Sequence, residues 1–168
     1  MVNQSSDLQE SAPGTAAFDP AAVERTDWAI IGAGVLTLLF SFFDYYTVSA
    51  SFDGYSVSES ASAWHGFFGW FGALCALAAS VALLGYLAGR LPANLPGRLV
   101  SLGGFALATL CILLALLIYP GSGYGGLGVH VGHGFGYWGS LLFAIVGLVL
   151  SYRGFSAEGG VLPGRNRR

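Results

Sequence analysis

His65, His130 and His133 are the three imidazoles of this sequence, and each sits in a stretch dense with aromatic and glycine residues. Asp44, inside Phe-Phe-Asp-Tyr-Tyr, is a carboxylate at the far end of an apolar run. If residues 130–133 are helical, the i, i+3 spacing puts His130 and His133 on one face. Three imidazoles and a carboxylate form a ligand set that suits Zn²⁺ at ligand distances near ~2 Å. His65 and His133 could instead hold a b-type haem, although no haem motif is present and such sites usually lie deeper between helices. Imidazoles beside Asp44 that titrate near pH ~6.5 could report external acidity. Against these stands a plainer interpretation, an interfacial aromatic belt in which the histidines hydrogen-bond at the headgroup level. An HxxH spacing is not specific enough to decide among them.

What must position these residues is set by composition. Hydrophobic residues make up 54% of the 168 residues and charged residues 10%, with a mean hydropathy of +0.64. A water-soluble domain carries about a quarter charged residues, so most of this surface must face lipid. A net charge of −2 gives no reason to invoke nucleic acid. All seven basic residues are arginine, which together with abundant Ala and Gly has the look of a high-GC bacterial coding bias.

Four apolar segments can each span a bilayer, which takes ~20 residues as a helix. They cover about 28–49, 65–88, 99–119 and 130–152. Each carries a stripe of small residues at alternating three- and four-residue spacing. The stripes are Gly34, Thr37, Ser41 and Asp44; His65, Gly69, Gly72, Ala76 and Ala79; Ser101, Gly104, Ala108, Cys111 and Ala115; and Ser140, Ala144, Gly147 and Ser151. Small side chains on one helical side let neighbouring backbones come close, the means by which helices associate where lipid supplies no hydrophobic drive. Between the first two segments, Asp53-Gly54 lies amid alternating apolar and polar residues, the signature of a β-hairpin. Pro92 and Pro96 prevent helix continuation between the second and third.

Residues 1–26 are Ser-, Ala-, Pro- and acid-rich, the composition of a disordered tail. They lack the basic start and apolar middle of a secretory signal, so the first span is expected to serve as a signal-anchor. Residues 156–168 form a basic tail. Every arginine falls in the N-tail, the second loop or the C-tail, and none in loops one and three. The positive-inside rule then places both termini in the cytoplasm and all three histidines outside. Cys75 and Cys111 fall mid-helix at similar depth and read as small apolar thiols.

The runs DWAIIGAGVLTLLFSFFDYYTVS and SAWHGFFGWFGAL resemble the small four-helix (tetraspan) membrane proteins of unknown function found in actinobacteria. The likeness spans Asp27 to about Phe155, and it implies the fold without implying an activity. No paired acids, Ser/His/Asp order or phosphate loop stands in a suitable context; Gly121-Ser122-Gly123 lacks the strand–turn–helix of a nucleophile elbow. Nor are there internal repeats or midplane charges of the kind transporters use. The expectation is an all-α membrane bundle of four transmembrane helices with a short extracytoplasmic β-hairpin between helices 1 and 2. Its expected role is non-enzymatic, without a cofactor. It would be a structural or accessory subunit whose outer aromatic face and hairpin contact lipid, a membrane-protein partner or a second copy. The alternative is a metal- or proton-responsive site on Asp44, His65, His130 and His133.

Overall fold

A computed structural model describes residues 20–52, 55–91, 96–118 and 129–157. Its main elements are α1 (Arg25–Phe40), β1 (Tyr46–Phe52), β2 (Tyr55–Ala61), α2 (Phe67–Leu87), α3 (Gly97–Leu117), β3 (Val129–His133) and α4 (Phe135–Ala157). Single 3-10 turns occur at Pro20–Ala22 and Ala63–His65. The expected tails, the Asp53-Gly54 turn centre, the Pro92-containing reversal and Tyr119–Gly128 lie outside the described residues.

The helices pack as a ring in which α1 touches α2 and α4, while α3 touches α2 and α4. The small-residue stripes face inward. Gly34, Thr37 and Ser41 are buried on the first, Gly69, Gly72, Ala76 and Ala79 on the second, and Ser101, Ala108, Cys111 and Ala115 on the third. Ser140, Ala144, Gly147 and Ser151 are buried on the fourth. At Gly34 the approach is close: an added Cβ would meet the Ser80 hydroxyl and lie 2.6 Å from the Ala76 carbonyl oxygen. Inward hydroxyls join the helices. Ser80 Oγ donates to the Ile30 carbonyl at 3.3 Å, Ser140 Oγ to that of Thr37 at 3.2 Å, and Ser101 and Ser151 share a bond of 3.3 Å. Between membrane helices such bonds contribute about 0.6 kcal/mol each. Gly89, at φ 64°, ends α2, and the Arg90 amide reaches back to the Gly85 carbonyl at 3.0 Å. This is the left-handed glycine stop that lets the last turn satisfy its carbonyls.

Three boundaries differ from the sequence expectation. The first helix stops at Phe40 rather than running to residue 49. Thr37 and Ser41 bond back to the carbonyls of Ala33 and Leu38 at 2.8 and 2.6 Å. The β-branched and aromatic run that starts at Tyr46 then pairs as a strand instead of extending the helix. Asp44 therefore sits in the connecting turn, exposed, and not at the end of the helical seam. The fourth helix begins at Phe135 rather than near residue 130, and continues to Ala157. The third difference is β3 itself. Residues 129–133 alternate valine with other residues and carry Gly132, a pattern that suits a strand better than a helix interior. The expected hairpin is present and enlarged, because β3 adds to its other side. The order is β2-β1-β3, antiparallel throughout, with Tyr46 opposite both Ala61 and His133.

Among the described residues three helices, α2, α3 and α4, are long and apolar enough to cross a membrane. Helix α1, with 16 residues, rises only ~24 Å at 1.5 Å per residue, less than the ~30 Å of a typical hydrocarbon core.

The two ends of the bundle differ in chemistry. At one end Asp27, on the first turn of α1, receives a two-pronged contact from Arg98 on the first turn of α3. The Nη1–Oδ1 and Nη2–Oδ2 distances are 3.1 and 3.2 Å. At the other end the sheet covers the helix tips. The interior divides accordingly. Ile30, Ala33, Ala76, Ala79, Leu83, Phe105 and Ala108 fill one half. Tyr45, Tyr46, Ala63, Ile112, Ala115, Tyr137 and Ala144 fill the half beneath the sheet.

Candidate functional site at the sheet end

The sheet is tied to the helices by backbone. The Tyr45 amide donates to the Ala61 carbonyl at 2.9 Å and the Ala63 amide to that of Ser41 at 3.0 Å. The amides of Gly134 and Gly136 donate to the carbonyls of Tyr45 and Asp44 at 3.1 and 2.9 Å. The last two bonds satisfy donors at the start of α4 that would otherwise lack helical acceptors. They need backbone-to-backbone approach: a Cβ on Gly136 would lie 2.7 Å from the Phe40 carbonyl oxygen. Gly134 and Gly136 thus serve this strand-to-helix junction.

Beneath the sheet lies a cluster of rings. Tyr45 and Tyr137 are 0% exposed and Tyr46 3%. Tyr45 stands edge-on to Tyr46 and to Tyr137, with centroids at 5.0 and 5.2 Å. His133 lies 4.5 Å from Tyr137 and 5.9 Å from Tyr46. These contacts follow from register and helical spacing: β3 brings His133 opposite Tyr46, and Tyr137 follows four residues later, just inside α4. Edge-on aromatic pairs add about 0.5–1.5 kcal/mol each beyond their buried area. The three phenol hydroxyls take no hydrogen-bond partner among the described residues. Burial raises the Tyr45 phenol far above its usual range, helped by its neighbours Tyr46 and Tyr137, and burial likewise raises that of Tyr46. Tyr45 and Tyr46 therefore stay in their neutral form. They are not bases at neutral pH.

Asp44, His65 and His133, the described members of the expected ligand set, lie in three different settings. Asp44 Oδ1 accepts a hydrogen bond of 2.6 Å from Ser60 Oγ. His65 Nδ1 lies 3.5 Å from the Ser62 hydroxyl on the 3-10 turn before α2. His133 packs among the tyrosines. His130 pairs by backbone with Ser49, and its side chain lies outside the described residues. Residues 129–133 form a strand, so the helical premise of the i, i+3 spacing does not hold there. Among the described residues no group of three or more His, Cys, Asp or Glu side chains gathers to hold a metal. Cys75 and Cys111 are both free thiols.

Two features of this end escaped the sequence reading. The tyrosine cluster was legible only as part of an aromatic belt, and its signal was the Tyr45-Tyr46 pair placed at the start of a strand. The edge strand β2 is the other: Tyr55 through Ser60 are all exposed, Tyr55 at 81% and Val57 at 63%. Around the helix tips a second set of rings faces outward. Phe42 stacks on Trp64 at 5.3 Å, Phe67 on Phe71 at 5.3 Å, and Phe40 meets Phe135 at 5.2 Å. Rings enclosed beneath the sheet hold it down, while outward rings present an amphipathic girdle.

Comparison with known proteins finds no family model and no curated protein that matches this chain.

Proposed function

We propose that this is a non-enzymatic integral membrane protein, a structural or accessory subunit. Its four helices all cross the bilayer, both termini are cytoplasmic, and the three-stranded sheet stands outside. The apolar length of α2, α3 and α4 supports the membrane reading. Helix α1 packs beside α2 and α4 over its length, with its small seam inward and Val35 and Leu39 outward. A short helix so placed is one member of a spanning ring and not a surface helix. An even number of crossings then keeps both tails on one side, together with the arginines they and the second loop carry.

The observation that carries the accessory role is the edge strand β2. It offers six consecutive exposed residues, two of them large and apolar, on a sheet bonded firmly to the bundle beneath. Open edges are managed in most proteins by covering them, and an added strand from a partner is a common way to do so. The aromatic girdle at the same level suits the lipid headgroup region.

The test uses a chain whose Cys75 and Cys111 are replaced by alanine and whose Ser58 is replaced by cysteine. In intact cells a membrane-impermeant maleimide should label Ser58→Cys, and should label Ser156→Cys only after permeabilisation. A photo-crosslinker at Val57 should yield a discrete adduct with another polypeptide. Labelling of Ser156→Cys from outside would overturn the orientation. A crosslinker that reaches only lipid would remove the partner role.

A further inference from the structure

The free edge of β2 has a chemical pattern of its own, which deepens the accessory reading on which this inference rests. Phe52 and Tyr55 stand directly opposite each other with two residues between them, so they close the hairpin as a hydrogen-bonded pair. Bonded and non-bonded pairs alternate from there. Tyr55, Val57, Glu59 and Ala61 therefore turn their amides and carbonyls toward β1, and Ser56, Ser58 and Ser60 turn theirs to the open edge. The Gly134 amide on the Tyr45 carbonyl at 3.1 Å fits the same alternation, since it turns odd-numbered positions at β1 toward β3. An added strand thus bonds to the three serines. Its side chains come closest to those of Tyr55, Val57 and Glu59, because non-hydrogen-bonded pairs stand ~4.5 Å apart at Cα against ~5.5 Å for bonded ones.

Charge decides what kind of strand fits. Glu59 is exposed, and Ser60 beside it donates to exposed Asp44 at 2.6 Å. Asp44, Asp53 and Glu59 all lie in the stretch that carries β1 and β2, and no lysine or arginine occurs between Arg25 and Arg90 or between Arg98 and Arg153. His130 and His133 belong to β3, on the far side of β1, and His65 follows β2 on the turn before α2. A second copy brings no base either. Two β2 edges that pair antiparallel must set serine positions against serine positions. Glu59 would then face Tyr55, Val57, Ala61 or another Glu59, which leaves its carboxylate against an uncharged neighbour or against a like charge.

We infer that the occupant of the β2 edge is an extended segment of a different polypeptide, added antiparallel, with lysine or arginine opposite Glu59 and apolar residues opposite Val57 and Tyr55. Antiparallel addition continues the pairing of both existing ladders. Read from its own N-terminal side, the segment is a base followed two and four residues later by apolar side chains. Backbone bonds to Ser56, Ser58 and Ser60 supply affinity for any extended chain, and the side chains opposite Tyr55, Val57 and Glu59 supply the choice among chains.

The experiment titrates dye-labelled peptides matched in length to β2 against the full chain in detergent, read by fluorescence anisotropy. The first peptide is Thr-Thr-Lys-Thr-Val-Thr-Val; two others carry glutamine or glutamate in place of lysine, and a fourth exchanges the lysine with the first valine. Binding should weaken by about 2- to 5-fold from lysine to glutamine and again from glutamine to glutamate, the range of one cross-strand charge pair. The exchanged peptide should lose the gain, and about 0.5 M salt should narrow the differences. Glu59 is exposed, so Glu59→Gln and Glu59→Lys should both fold; the first should flatten the order and the second reverse it. Equal binding of the lysine and glutamate peptides, or an order that Glu59→Lys leaves in place, would overturn the inference. So would a disulfide-linked dimer formed in membranes by Ser58→Cys in the chain without Cys75 and Cys111, because a second copy would then hold the edge. If no peptide binds while the crosslinker at Val57 still captures a polypeptide, strand addition alone is wrong. A crosslinker that reaches only lipid defeats the partner role itself.

Discussion

The two ends of this bundle bury polar groups in opposite ways. At the α1/α3 start, Asp27 is 2% exposed and meets Arg98 through two contacts of 3.1 and 3.2 Å. At the sheet end, three phenol hydroxyls are buried with no partner among the described residues, and the cluster is held by ring packing. A charged pair joined through both carboxylate oxygens tolerates little change in geometry, whereas stacked and edge-on rings can shift by fractions of an ångström at small cost. The first arrangement locks the helix starts to one another. The second leaves the sheet seated but able to adapt, which suits the end where an exposed edge strand is offered.

The largest effect should come from the locked end. Arg98→Leu or Asp27→Asn strands one member of a buried pair and should cost about 3–5 kcal/mol, read as loss of folded fraction in a detergent-denaturant titration. Replacing both members with leucine should recover most of that loss, since the cost lies in the unpaired charge. If the single substitutions change stability by no more than a surface replacement does, the locking role of this end is wrong.

Next is packing, which tests both halves at once. Gly147 faces the Phe105 ring in one half and Gly139 the Phe40 ring nearer the sheet, so that a Cβ on either would run into its ring. Leucine at either position should destabilise by about 1–3 kcal/mol through overpacking. Gly103, where an added Cβ meets nothing within 4 Å, should accept alanine with no loss, and the same titration checks all three. A smaller loss at Gly139 than at Gly147 would sharpen the contrast between a compliant and a rigid end.

Tyr45→Phe should leave stability unchanged or raise it by up to about 1 kcal/mol, because it removes a buried hydroxyl without breaking a bond. A clear destabilisation would mean that the hydroxyl is engaged and that the sheet end resembles the locked end after all.

The smallest effect is a pH dependence. Burial holds the Tyr45 and Tyr46 phenols protonated above the usual range near 10. In the unfolded chain they ionise near pH ~10, so above that value the unfolded state binds fewer protons and the folded state loses its advantage. Stability should be flat below pH ~9 and fall as pH rises past ~10. The fall should be shallower in Tyr45→Phe, with phenolate absorbance near 295 nm reporting the ionisation.

Much of this molecule follows from local pattern. The inward stripes of α2, α3 and α4 fall where spacing puts them, because a helix of uniformly apolar residues can sort its faces only by side-chain size. The hairpin from Tyr46 to Ala61 follows from alternation about Asp53-Gly54, since turn and pleat are both short-range. What the sequence could not supply were the choices between local preferences of similar strength. Residues 129–133 place two histidines at a spacing a helix would use and two valines at strand spacing, and only an available edge on β1 favours the strand. The same competition ends α1 at Phe40 and moves Asp44 into a turn. The pairing of Asp27 with Arg98, 71 positions apart, and the gathering of Tyr45, Tyr46, His133 and Tyr137 depend on how the helices close into a ring. That is a long-range outcome: no residue's own propensity records which distant side chain the tertiary structure will bring against it.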